Sequence, residues 1–186
     1  MQSFNLTNHF LIAMPQLEDP NFARSVTYIC AHNEDGAMGI VVNRALDLTL
    51  GEILSQVEVP STLAAIGERQ VYLGGPVHTD RGFVLHRPAQ NWQSSISVTP
   101  EVALCTSRDI LEAIARGDGP DDTLVALGYA GWSAGQLEAE IAQNAWLSGP
   151  ADLDIVFKFP AEQRWQRAAA LLGVDLHYIS HDVGHA

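Results

Sequence analysis

The stretch SVTYICAHNEDGAMGIVVN, Ser25 to Asn43, decides how the rest of the chain is read. Two runs rich in β-branched and apolar residues, Ser25–Ala31 and Met38–Asn43, stand either side of Asn33-Glu34-Asp35-Gly36. Strand formers separated by turn residues predict an antiparallel hairpin, and Asp35-Gly36 is the local turn signal. Further strands are expected on both sides of it. His9–Met14 is apolar and stops at Pro15; Gln70–Leu73 and Gly82–His86 flank a Gly-rich turn. Ser95–Val98 and Val102–Leu104 are shorter candidates, and Thr123–Tyr129 and Asp154–Phe159 complete the set.

Helices are marked by their ends. Thr49-Leu-Gly-Glu52 reads as a capping box, with Ile53, Leu54 and Val57 as the apolar stripe behind it. Thr106 or Ser107 is placed to start a helix through Ile110, Leu111, Ile114 and Ala115, and Gly117 to end it. Ser133-Ala-Gly-Gln136 repeats the capping-box pattern, and Pro160 suits the start of a helix that Gly173 stops. Hairpins beside crossovers predict a mixed sheet rather than strict βαβ winding. No repeat or linker divides the chain, so a single domain over residues 1–186 is expected.

Composition limits the function. Hydrophobic residues make up 47% of the 186 and charged ones 17%, a balance that folds rather than stays disordered. Asp and Glu number 22 against 10 Lys and Arg, for a formal charge of −12, and Lys158 is the one lysine. Such a surface repels polyanions, so direct nucleic-acid binding is disfavoured. No apolar stretch reaches the roughly 20 residues of a membrane span, and the N-terminal residues lack a basic segment of the signal-peptide kind. Cys30 and Cys105 lie in apolar runs and read as buried free thiols of a reducing compartment.

Four constellations could carry chemistry. In Leu127–Gln136 a strand is expected to run into a Gly-rich bend at a helix start, where backbone N–H groups can hold an anion; the other reading is tight strand–helix packing. Gly131 and Trp132 are its candidate residues, with Trp132 either a pocket wall or a core plug. In Tyr72–His86, Gly74, Gly75, Arg81 and His86 form either an anion-presenting loop or a bulged hairpin. Arg24, Arg44 (after Asn43) and Arg81 stand at strand ends, suited either to a small carboxylate or phosphate or to ion pairs. His177, His181 and His185 would share a helix face, but a frayed tail is the stronger reading. The glycine spacing matches neither the dinucleotide fingerprint nor a P-loop, and no nucleophile motif is present, so no cofactor, metal or catalytic residue is assigned.

Three blocks, HFLIAMPQLEDPNFARSVTYICAHNEDGAMGIVVNR, YLGGPVHTDRGFVLH and GDGPDDTLVALGYAGWSAGQLEAEIAQNAWL, together with the GHA ending, closely resemble the YqgE/AlgH family of bacterial proteins. The resemblance spans about residues 8–186. It implies an α+β fold in which a bifurcated, mainly antiparallel mixed sheet forms a pseudo-barrel with flanking helices. It also implies a cytoplasmic location and brings no catalytic residue with it. Some members of the family carry a transcriptional-regulator label linked to exopolysaccharide (alginate) production.

The leading expectation is therefore a non-catalytic binding or regulatory protein acting through a protein partner or a small anionic ligand. An enzyme for a phosphorylated or carboxylated small molecule comes second, with the three arginines as clamp and His86 or Asp80 as acid/base. A transcriptional regulator comes third.

Overall fold

The computed structural model describes residues 5–176. In chain order the elements are β1 (His9–Ala13), β2 (Val26–Asn33), β3 (Gly36–Val41), β4 (Ala45–Thr49), α1 (Leu50–Gln56), α2 (Ala64–Gly67), β5 (Gln70–Leu73), β6 (Val77–Arg87), β7 (Ser95–Ser97), β8 (Ala103–Cys105), α3 (Arg108–Arg116), β9 (Asp122–Ser133), α4 (Gln136–Ala142), β10 (Trp146–Pro150), α5 (Leu153–Lys158) and α6 (Ala161–Leu171). Residues form two compact units: the chain up to Asn43 with that from Ala130 onward, and Arg44–Tyr129 between them.

In the first unit β10, β1, β2, β3 and the last residues of β9 pair antiparallel in that order. The expected hairpin is β2–β3. Its two-residue loop is Glu34-Asp35, and Gly36 already pairs with Asn33. Gly36 must be glycine, because its φ is 137° and a Cβ would meet the Trp132 carbonyl oxygen at 2.2 Å. Leu11, Ile29, Trp132, Leu137 and Trp146 share one core cluster. Helix α6 packs on β1 and β2, where the Trp165 indole donates to the Ala13 carbonyl at 2.9 Å. Arg164 is buried and donates to the carbonyls of Val42 and Phe159. A buried guanidinium survives only when backbone acceptors replace its water in this way.

In the second unit the order is β4, β5, β9, β6, β8, β7. Every pair is antiparallel except β5–β9. Helix α1 begins as expected: the Thr49 side chain accepts from the Glu52 N–H and Glu52 accepts from the Thr49 N–H. Gly117, at φ 83°, closes α3 in the left-handed conformation. Leu50, Leu54, Ile110 and Ile114 are almost wholly buried, each worth roughly 1.5–3 kcal/mol by apolar burial.

Strand β9 belongs to both units. Its first half lies between β5 and β6, and its last four residues pair with β3. The sheet is therefore mainly antiparallel and bifurcated, with helices flanking it, and the fold is the α+β class expected.

Three local expectations change. Asp154–Phe159 is not a strand but helix α5, because Asp152 accepts the Asp154 N–H and Leu153, Ile155 and Val156 bury on one side. A six-residue apolar run does not by itself separate the two. Gln70–Leu73 and Gly82–His86 do not pair with each other; β9 runs between them. Ser133 stays in β9, and α4 starts at Gln136 with Gly135 as its cap. Strands β4 and β10 and the short helix α2 carry weak sequence signals, being short or interrupted by polar residues and glycine. The histidine set at 177, 181 and 185 lies outside the described residues.

Candidate functional site

The second unit holds a cavity of about 760 Å³, open at one side. One wall is the sheet, through Gly82 and Val84 of β6, Val125 and Leu127 of β9, and Cys105 of β8, which pairs with Val84. The facing walls are Ile53 and Val57 at α1 and Leu111 on α3, and Leu48 of β4 closes the side. Alternation explains the sheet wall: Gly82 pairs with Leu127 and Val84 with Val125, so every second residue of each strand faces the same way.

The cavity is open where the sequence supplies no side chain. A Cβ on Gly82 would meet nothing within 4 Å, and its φ needs no glycine. Gly74 and Gly128 are the reverse. A Cβ on Gly74 would meet the Gly128 carbonyl oxygen at 2.4 Å, and one on Gly128 (φ 77°) the Gly75 carbonyl oxygen at 2.4 Å. Gly74, Gly75 and Gly128 thus bring two backbone segments into contact. Between Val77 and Gly82 the ladder slips, because β6 carries more residues than β9 there; the bulge sets Thr79 and Asp80 at the cavity edge. The bulge the sequence allowed is present, and its outcome is to shape this rim.

Polar groups gather at the mouth. Thr106, Ser107 and Arg108 come from the start of α3, Gln56 and Glu58 from the end of α1 and the turn after it. The Ser107 hydroxyl does not cap α3. It donates to Asp109 Oδ1 at 2.5 Å and accepts from the Ser94 N–H at 3.0 Å, with the Cys105 sulfur 3.2 Å away. Burial works against the Asp109 charge, but hydrogen bonds from Ser107 and from the Gln93 and Ile110 N–H groups outweigh it and hold its carboxyl below the usual value. Ser107 and Asp109 are therefore committed to fixing the 93–95 segment on α3. Neither is free to activate a nucleophile.

The charges at the mouth do not balance. Glu58 and Asp80 are exposed, and neither carboxylate takes part in a hydrogen bond or ion pair among the described residues. The one cation is Arg108, which pairs with Glu112 at 3.2 Å and donates to the Glu58 carbonyl at 3.2 Å.

Apart from Asp80, none of the candidate residues of the second unit lines this cavity. Arg44, Gly74, Gly75, Arg81 and His86 all lie elsewhere in that unit. The Arg44 carbonyl accepts the Leu73 N–H, and Arg81 is exposed. His86 is wholly buried. Its Nδ1 lies 2.9 Å from the Pro88 carbonyl and must donate to it, which leaves Nε2 as an acceptor; that atom has no partner in the structure. Burial lowers its pKa from 6.5, only partly opposed by the Pro88 bond. Trp92 meets it edge to face at 6.3 Å.

The other four belong to the first unit. Asn43 accepts the Val26 N–H and donates to the Arg24 carbonyl, so it ties two chain segments together. Arg24, at φ 57°, stacks 5.5 Å from the Trp165 ring centroid. Gly131 pairs with Met38 inside the sheet. Trp132 is the core plug: it packs with Phe22 and Trp146, and its indole donates to Glu140. The first unit also holds a pair the sequence did not mark. His32 is buried, accepts the Leu6 N–H through Nδ1 and donates to Glu138 through Nε2. Of the residues weighed from the sequence, Asp80 is at the cavity. Its apolar lining was hidden because a residue facing a cavity and one facing core follow the same periodicity.

Among the described residues no cluster of His, Cys, Asp and Glu is arranged to hold a metal ion, and no helix is long and apolar enough to cross a membrane. A family model described as AlgH-like matches residues 10–177. A UPF0301 protein of Thioalkalivibrio sulfidiphilus is 65% identical over 184 residues, covering 99% of this chain and 98% of that one. Another, from Nitrosococcus oceani, is 57% identical and covers 96% of each chain. The solution structure of the AlgH protein from Pseudomonas aeruginosa is similar throughout: 51% identity, TM-score 0.81, and 100% of both chains covered. A crystal structure of protein DIP2367 from Corynebacterium diphtheriae shares the fold at 20% identity, with a TM-score of 0.74 over 97% of this chain and 94% of that one.

Proposed function

The chain belongs to the AlgH-like family, and from that premise we propose that it is a cytoplasmic binding or regulatory protein whose ligand site is the cavity between α1, α3 and the β6–β9 face. The carrying observation is the cavity itself. Its volume of about 760 Å³ falls in the range of small-molecule sites, and its lining combines apolar side chains of α1, α3 and the sheet with a few charged ones, Glu58, Asp80 and Arg108. The Ser107 hydroxyl in its lining is held by structural hydrogen bonds to Asp109 and from the Ser94 N–H, which favours binding over covalent chemistry. Two free, buried cysteines suit a reducing compartment.

Octanol, a neutral apolar probe, tests the reading. Titrated into the whole protein, it is expected to shift amide NMR signals of α1, α3 and Gly82–Val84. Gly82→Leu, which places a side chain in the open space, is expected to abolish those shifts while the fold persists. Shifts confined to other segments, or unchanged by Gly82→Leu, would refute the site.

A further inference from the structure

We propose that the ligand of this cavity is cationic: a molecule with an apolar body and an ammonium-type head held at the mouth. The inference rests on the cavity being the ligand site and adds the sign of charge it selects.

The arginines that suggested an anion do not furnish the cavity; Arg44 and Arg81 of this unit are absent from its lining. Arg108 is the one basic side chain at the mouth, and Glu112 offsets it at 3.2 Å. Glu58 and Asp80 remain in the lining, one after α1 and one on the β6 bulge. Counting all four, the mouth carries an excess of negative charge. An anion entering here would lose hydration and meet two carboxylates. A cation would meet the same carboxylates favourably while its apolar part replaces water on Ile53, Val57, Leu111, Val125 and Leu127. The chain's charge of −12 acts in the same direction at longer range, drawing cations towards a low-dielectric cleft.

Three probes of one length separate the terms: octylammonium, octanol and octanoate, each titrated into the whole protein at low salt and neutral pH. Octylammonium is expected to bind most tightly and octanoate least, with about tenfold between them from the two lining carboxylates. Added salt is expected to narrow that gap. The double variant Glu58→Gln, Asp80→Asn is expected to reduce the gap to about twofold while leaving octanol unchanged; both positions are exposed, so the fold is retained.

Octylammonium and octanoate binding equally, or octanoate binding tighter, overturns the cationic ligand while leaving the cavity as the site. An ammonium preference that persists undiminished in the double variant overturns it as well, by assigning the preference to overall charge. If none of the three binds, or if octylammonium still binds Gly82→Leu, the cavity reading itself falls.

Discussion

In the first unit Glu140 receives three donors, the indoles of Trp132 and Trp146 and the amide of Gln136, at 3.1–3.2 Å. In the second unit, α1 and α3 face the sheet across about 760 Å³ that no side chain fills. In the first unit three charged side chains are spent internally: Glu140 on two indoles, Glu138 on His32, Arg164 on two carbonyls. The other leaves Glu58 and Asp80 uncommitted beside an apolar hollow. Buried polar groups left unmade cost free energy, so closed networks mark where stability is decided. Open space with uncommitted charge marks where something else is accommodated.

The sharpest break of that contrast is Glu140→Ala. It orphans two buried indole N–H groups and is expected to cost about 3 kcal/mol of unfolding free energy, measured by urea titration. Glu140→Gln keeps an acceptor and is expected to recover much of the loss. A cost below about 1 kcal/mol for the alanine variant would mean that water replaces the carboxylate freely.

The second comparison stays within the open unit. Leu54 is fully buried in core, and Leu111 lines the cavity. Leu54→Ala is expected to cost about 3 kcal/mol and Leu111→Ala about 1, since truncation beside existing space creates little new void. Equal costs would show that the cavity collapses onto Leu111 in solution.

The smallest effect is one of pH. His86 has its folded-state pKa lowered from 6.5, mainly by burial. Below pH 6.5 the unfolded chain takes up a proton that the folded one refuses. Its contribution is therefore complete above that pH and is lost as pH falls towards the folded value, with a slope of at most about 1.4 kcal/mol per pH unit. Glu138 acts lower. Its own backbone N–H and His32 depress its pKa from 4.5, so its contribution is lost as pH falls through the depressed value. Urea midpoints from pH 7 to pH 5 should fall in the parent and flatten in His86→Phe; a parallel fall in both would assign the effect elsewhere.

The sequence was most legible where one short signal has one physical meaning. Thr49 with Glu52 could only be a helix start, and Ser25–Asn43 could only be a hairpin. It was least legible where one residue type serves opposite ends. Gly128 holds two backbones together and Gly82 leaves a hollow, yet both read as glycine in a strand. Which face a strand-end arginine occupies depends on features such as the ladder slip in β6 and the left-handed turn at Arg24, which no residue type announces. The cavity depends on distances between elements that no local pattern encodes.

Each unit contains one cysteine, and both thiols are free and buried. Burial raises the Cys30 thiol to about 12, so at neutral pH it is almost never a thiolate while its unit stays closed. Cys105 lies against the cavity wall. The pair therefore works as two built-in clocks: the rate at which an alkylating reagent marks each sulfur times the opening of its own surroundings. A ligand seated in the cavity would slow the Cys105 clock and leave the Cys30 clock running as before.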